Sequence, residues 1–470
     1  MNFDFEIRNL GKVKHAKLKI APFTVIAGAN SSGKSFISRA LYSFFNTINK
    51  DHVTLSAMNS MLNIQTLLRS AYNSTSVPSN TVNDLFNELM THIATLENVI
   101  SKEFGECTFL EQHARTLILD EYILNTEYVM GLLLDEIANK KKYNNFHERL
   151  SAANNQLKKL KTNIKNPSTT LSEKVEQGFN DALKENFQIP NLSDLKSFDA
   201  SAEEPISFNL GPLGEISIVK ESINFKLNAE SISEFQSLYN VVFIESPIYW
   251  KLRKPLINAQ KSPLNIFRRL NKRVEGLSGV PQYFYDLIEL VDGNIKSTAA
   301  NEQLDNLEKN INQTLGGNIE LSDSGDISFK DSSTSKNISI NLTATGVTNL
   351  GIIGLLLKRN VIAKGSFVFV DEPEVNLHPA WQKVMIETLY KLSKSGINVV
   401  IASHSIDMMK YVENIMDELS EEEIEQQFAI NRLSQSGIST SSEISQRKSI
   451  AEIKNDLGAS FIDMTLESGW

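Results

Sequence analysis

The segment Gly28-Ala-Asn-Ser-Ser-Gly33-Lys34-Ser35 matches the phosphate-loop pattern GxxxxGK[ST] in full. It stands between an apolar strand, Phe23-Thr-Val-Ile-Ala27, and a helical pattern carried by Phe36, Ile37, Ala40, Leu41 and Phe44. The chemistry requires that context. Gly28 and Gly33 let the backbone wrap a phosphate, and the amides around Asn30, Ser31 and Ser32 join the helix N-terminus in supplying positive potential. Lys34 is expected to reach the β and γ phosphates and the Ser35 hydroxyl to ligate Mg2+, so ATP and Mg2+ are the expected ligands.

A second strand, Phe367-Val-Phe-Val370, delivers the carboxylates Asp371 and Glu372 at its end. Asp371 is expected to hold Mg2+ through its water shell, and Glu372 to orient and deprotonate the attacking water. The two motifs lie near opposite ends of the chain. What separates them reads differently. Leu85, Leu89, Ile93, Leu96 and Ile100 mark one helix, and Tyr143, Phe146, Leu150, Ala153, Leu157, Leu160 and Ile164 follow heptad spacing until Asn166-Pro167 stops it. Strand-like alternation returns in 205–228, a buried strand in Val241–Ile244, and further strands in NIELSDSGDISF and NISINL. A mixed helical region spans about 263–315, and a helix, strand, helix, strand succession runs from Val347 to Ala402. The expected fold class is α/β, a core split in sequence around a helical or short coiled-coil insertion.

The run DEPEVNLHP, Asp371 to Pro379, followed by VVIASHS ending around His404, resembles the ABC-type ATPases shared by SMC-like, RecF-like and OLD-like proteins. In that family the Glu beside the Walker-B Asp is the base, the following residues form the D-loop, and a His after the next strand contacts the γ-phosphate. The resemblance carries those roles to Glu372, to Asn376–His378 and to His404. It also implies a signature segment whose helix N-terminus completes the site of a second copy. Leu342-Thr-Ala-Thr-Gly346-Val-Thr-Asn-Leu350 occupies the right place, with Gly346 for close approach and Thr345 or Thr343 for the hydroxyl, although the family serine is missing. The Q-loop glutamine stays unassigned, because the strand Val241–Ile244 is followed by Glu245-Ser246-Pro247.

The resemblance is strongest over about 1–50 and 340–410 and is similar overall to AAA-family ATPases of bacterial anti-phage systems, such as the PARIS and Septu-type ATPases. It implies five segments: 1–80, the N-terminal core with the phosphate loop; 81–200, a helical hairpin or coiled-coil insertion; 201–260, a β-rich return; 261–340, a helical subdomain; 341–470, the C-terminal core. It further implies a homodimer or higher homo-oligomer, a sensor or regulator controlling a separate effector such as a nuclease or toxin, and a phage protein as trigger. The 66 residues after His404 contain no DxD pair of the kind an OLD nuclease carries, so nuclease chemistry is expected from another chain. A RecF- or SMC-like repair ATPase that clamps DNA is the alternative reading.

Composition narrows the surroundings. A net charge of −9 argues against a surface coated with positive charge but leaves room for basic patches. Two stand out: Lys251–Arg273 holds eight cations and no carboxylate, and Lys140–Lys165 holds eight cations against Glu148 alone. These are the expected places for DNA or an acidic partner. One cysteine, Cys107, excludes an internal disulfide. No apolar stretch approaches the roughly 20 residues of a membrane span, and the start carries no secretory leader pattern. The expectation is a cytoplasmic protein without membrane contact.

Overall fold

The computed structural model describes residues 2–75, 78–105, 107–201, 203–211, 214–261, 279–293, 301–322, 324–439 and 444–467. The chain opens with strands β1 (Phe3–Leu10), β2 (Val13–Ile20) and β3 (Phe23–Ala27) and helix α1 (Lys34–Asn49). Helices α2 (His52–Asn73), α3 (Asn80–Phe104), α4 (Phe109–Ile137), α5 (Asn144–Lys165) and α6 (Pro167–Phe187) follow. Strands β4 (Ile206–Asn209), β5 (Gly214–Val219) and β6 (Ser222–Leu227) lead through α7 (Ala229–Gln236) to β7 (Val241–Ile244). Then come α8 (Gln282–Asp292), α9 (Glu302–Leu315), β8 (Gly317–Leu321), β9 (Ile327–Asp331), β10 (Asn337–Ser339) and α10 (Thr345–Lys358). The chain finishes through β11 (Phe367–Asp371), α11 (Pro379–Lys394), β12 (Asn398–Ser403), α12 (Ile406–Asp417), β13 (Phe428–Arg432) and α13 (Gln446–Glu467).

The contacts divide the chain into two compact units. The first comprises Met1–Thr47, Phe179–Leu227 and Leu238–Trp470; the second, Ile48–Gly178 with Asn228–Ser237. At the centre of the first is a parallel five-stranded sheet in the order β13-β3-β12-β11-β7. Its strands are apolar on both faces, and β3, β7 and β11 are buried at every residue. A parallel sheet covered on both sides demands that composition. The antiparallel sheet β2-β1-β4-β5-β6 and the small sheet β10-β9-β8 complete the strands described. The core is therefore α/β, split in sequence and interrupted by helices.

The second unit corrects the sequence reading of a hairpin or coiled-coil arm. The heptad positions of α5, from Phe146 to Ile164, are buried as expected, but α5 packs on α2 and α4, and α3 packs on α2 and α4. The result is a four-helix bundle. The partner that the heptads required is α2, whose Val53, Ala57, Met61, Ile64, Leu68 and Ala71 recur at three- and four-residue spacing. The unit therefore begins at Ile48 rather than at 81. In α3 the inward face uses Phe86 in place of Leu85.

Strand β13 comes from the stretch after His404. It pairs in parallel with β3 along its whole length, and Leu433 N–H donates to Ala27 O at 2.8 Å. The tail is thus structural, forming one edge of the nucleotide-loop strand.

Candidate active site

The loop between β3 and α1 turns through two left-handed residues, Ser31 at φ 62° and Gly33 at φ 105°. A side chain at Gly33 would also meet Val13 Cγ2 at 2.7 Å, so glycine is required there on both counts. At Gly28 the constraint is proximity: a Cβ would lie 2.2 Å from Leu433 O, beside the end of β13. Lys34 is buried, and its Nζ donates to the carbonyls of Gly28 and Ala29, each at 2.9 Å. Burial pushes its ammonium below the usual lysine range, while Glu372 and Asp371 pull the other way.

Asp371 is the last residue of β11 and lies in register with Ala402 of β12. Burial raises its carboxyl to about 7, the charge of Glu245 adds to the rise, and a hydrogen bond with the Ser35 side chain opposes it. Ser35 and Asp371 are therefore brought together, as expected of two residues that share a cation. Glu372 follows in the left-handed region at φ 50°, its N–H donating to Ala402 O at 2.8 Å. A non-glycine residue held there is strained, and such strain concentrates where a side chain must be aimed. Its carboxylate is partly exposed, and Oε1 stands 3.6 Å from His404 Nδ1.

The residue that sequence reasoning missed is Glu374. Its side chain is only 7% exposed, and Oε1 accepts from Ser403 Oγ at 2.9 Å and from His404 N–H at 2.8 Å. The same oxygen lies 3.1 Å from His404 Nδ1. A buried carboxylate thus fixes the backbone of His404 next to Glu372 and lies beside its ring. The signal was present in DEPE, whose second Glu follows Glu372 by two residues.

The D-loop is anchored as well. His378 caps α11 by accepting Ala380 N–H at Nδ1, 3.2 Å away, and Asn376 is left-handed at φ 61°. Gln382 ties the loop to the His404 turn, donating to Leu377 O and accepting from Ser405 Oγ at 2.6 Å. The signature candidates fall at the start of α10. Gly346 backs onto Asn376 and Leu377, and Asn349 donates to Pro373 O at 3.2 Å. Of the two threonines, Thr343 is buried and spends its hydroxyl on Ser339 O at 3.1 Å, whereas Thr345 stands half-buried in the first turn.

Where the resemblance expects a glutamine after β7, Glu245 pairs with Arg39 of α1 at 2.6 Å and accepts from Tyr283 of α8. The pairing β7–β11 places Ile244 beside Val370, so Glu245 emerges next to Asp371 and helps raise it. Neither Arg39 nor Tyr283 carries a motif by which the sequence could have announced it.

Several cations of the two basic stretches have partners within the chain. Lys251 donates to Thr343 O at 2.9 Å, Arg253 is buried against Asp292 and Gly325 O, and Lys254 pairs with Asp326. Arg268, Arg269, Lys272 and Arg273 lie outside the described residues. On α5 and the turn before it, Lys140, Lys161 and Lys165 pair with Glu136, Glu127 and Asp120 of α4, while Arg149 donates to Ser70 O.

The site fits a phosphate ligand and a cation. Ser32 Oγ and Asp371 Oδ1 are buried without a protein hydrogen-bond partner. A buried polar atom left so costs about 1–3 kcal/mol, which suits groups that meet a ligand. Among the described residues no cluster of three or more His, Cys, Asp or Glu could hold a metal by itself. Ser35 with Asp371 is the sparse oxygen set that Mg2+ takes when phosphates and water complete its shell.

Fold and site together define a P-loop nucleotide-binding ATPase. The chain belongs to the AAA ATPase domain family, whose model matches residues 3–409. No curated protein matches it. Among solved structures it is similar to an Smc head bound to the C-winged helix domain of ScpA, at 12% identity and TM-score 0.39 over 96% of this chain and 99% of that one. The Smc head with a coiled coil and joint from Pyrococcus yayanosii gives 12% and 0.33 over 97% and 99%, and the SMC head from Thermotoga maritima 11% and 0.28 over 87% and 91%. Among the described residues no helix is long and apolar enough to cross a membrane.

Proposed function

We propose that this chain is an ATP-hydrolysing switch whose two copies close on ATP, and that it serves as sensor and regulator in an anti-phage system by controlling a separate effector, such as a nuclease or toxin. The observation that carries the hydrolytic part is the convergence of Lys34, Asp371, Glu372 and His404 at the carboxyl ends of β3, β11 and β12. Lys34 would exchange its two loop carbonyls for phosphate oxygens. Mg2+, held by Ser35 and Asp371, would supply charge neutralisation on the phosphates. Glu372, aimed by its left-handed backbone, would take the proton of the attacking water, and His404 would report the γ-phosphate. Thr345 and Gly346 at the start of α10 are proposed to complete the site of a second copy, and the sharing of one patch by Gly346 and the D-loop supports that role.

Glu372→Gln tests the reading. Turnover should fall by about 100-fold or more while ATP is retained and a closed homodimer accumulates in light scattering. Undiminished phosphate release would remove Glu372 as base. The regulatory part rests on the resemblance carried by DEPEVNLHP and VVIASHS. Its test is co-purification with neighbouring gene products, with and without ATP; an ATP-dependent effector complex supports it. The second reading, a DNA-clamping repair ATPase, draws on the exposed Lys141, Lys142, Lys158 and Lys159. Tight, ATP-dependent binding to plain duplex DNA in physiological salt, with no protein partner, would favour it.

A further inference from the structure

Helix α4 has two apolar faces. Leu119, Ile123, Val129, Met130 and Leu133 are buried in the four-helix bundle. Elsewhere on the helix Leu110, Leu117, Ile118, Leu124, Tyr128 and Leu132 are exposed, Leu117 by 82% and Tyr128 by 68%. A bundle helix ordinarily presents polar residues outward, and a contiguous exposed apolar stripe marks an interaction surface.

The spacing identifies what covers it. Leu110, Leu117 and Leu124 stand seven residues apart, with Ala114 and Glu121 interleaved and Tyr128 next in the series. This 3.5-residue repeat keeps one seam aligned only against another helix, in a left-handed supercoil. A second α4 fits it best when antiparallel. In a parallel pair Glu121 would face its own copy inside the seam, setting two like charges against each other. In an antiparallel pair centred between Tyr122 and Ile123, Glu121 falls opposite Leu124, Leu117 opposite Tyr128, and the small Ala114 opposite Gly131. Every pairing then occurs twice about the two-fold axis. The exposed apolar side chains offer on the order of 700 Å2 per copy, so about 1,400 Å2 in all, within the range of a stable specific interface.

We infer that α4 is a homotypic docking surface, through which two copies of the chain associate by antiparallel helix pairing without nucleotide. This contact goes beyond the ATP-driven closure proposed above and does not depend on it. The test uses the full chain carrying Lys34→Ala, free of nucleotide, in sedimentation velocity at micromolar concentration. A dimer is expected. Adding Leu117→Lys and Tyr128→Lys should shift it to monomer, with at least a tenfold rise in dissociation constant and an unchanged far-UV circular-dichroism spectrum, since both residues are exposed. In a Cys107→Ser background, Leu117→Cys with Tyr128→Cys should form an interchain disulfide, and Leu117→Cys alone should not. A monomeric Lys34→Ala chain, or a dimer indifferent to the two lysines, would overturn the inference. So would cross-linking by Leu117→Cys alone, which means parallel pairing, or a monomer that instead floats with phosphatidylcholine vesicles, which assigns the stripe to lipid.

Discussion

The carboxylate of Glu374 accepts the backbone N–H of His404 at 2.8 Å, while the imidazole Nδ1 of the same histidine lies 3.1 Å from that oxygen. One buried side chain therefore holds the turn after β12 and stands beside the ring that faces Glu372. Its role is positioning. Glu374→Ala should lower kcat for ATP by about 10- to 100-fold while KM moves by less than about threefold. Glu374→Gln, which keeps an acceptor oxygen, should recover much of the loss. Steady-state phosphate release reads both, and equal losses in the two variants would argue against hydrogen-bond acceptance as the cause.

Lys34 is held by two loop carbonyls and compensated by the carboxylates at the end of β11. Lys34→Ala should weaken ATP binding by more than about tenfold, because the phosphates lose their charge-assisted donor. Isothermal titration would measure it. An unchanged affinity would place the phosphates elsewhere.

Asp371 supplies a pH signature. Burial, and next the charge of Glu245, raise its carboxyl from 3.8 to about 7. Between those values the folded chain holds this proton more tightly than the unfolded chain, so the residue's contribution to stability falls as pH rises and is fully lost above the folded value. The rise corresponds to about 4 kcal/mol. Asp371→Asn should accordingly stabilise the nucleotide-free protein by up to that amount at pH 8 and by clearly less at pH 5. Urea unfolding at the two pH values decides it, and equal differences would refute the assignment.

Arg39 neutralises Glu245 at the shoulder of Asp371. Arg39→Ala should cost about 1–3 kcal/mol, since Glu245 is left in a largely buried place with only Tyr283. In a double-mutant cycle Glu245→Gln should relieve most of the loss. Additive losses would show that the pair does not interact energetically.

The site was legible wherever chemistry is written locally. Gly28–Ser35 and Asp371-Glu372 are contiguous motifs bound to an apolar strand, and His404 follows the next strand at once. The linkages between motifs were not legible, because they join residues far apart in the chain: Arg39 reaches Glu245 across 206 positions. The helical unit shows the same division. Periodicity exposed the buried face of α5 but not its partner, since a heptad seam states that another helix covers it and not which one. The pairing of β13 with β3 is likewise a matter of topology, joining strands about 400 residues apart.

That topology has a consequence for how the molecule is made. Both sheet neighbours of β3, namely β12 and β13, are encoded near the far end of the chain. At a synthesis rate of about 5–20 residues per second, the nucleotide loop waits roughly 20–80 s on the ribosome before its flanking strands emerge. The bundle drawn mainly from Ile48–Gly178 can meanwhile close on local contacts. ATP binding is therefore a property the nascent chain acquires late, and a premature stop between Ser403 and Phe428 should leave β3 with one bare edge.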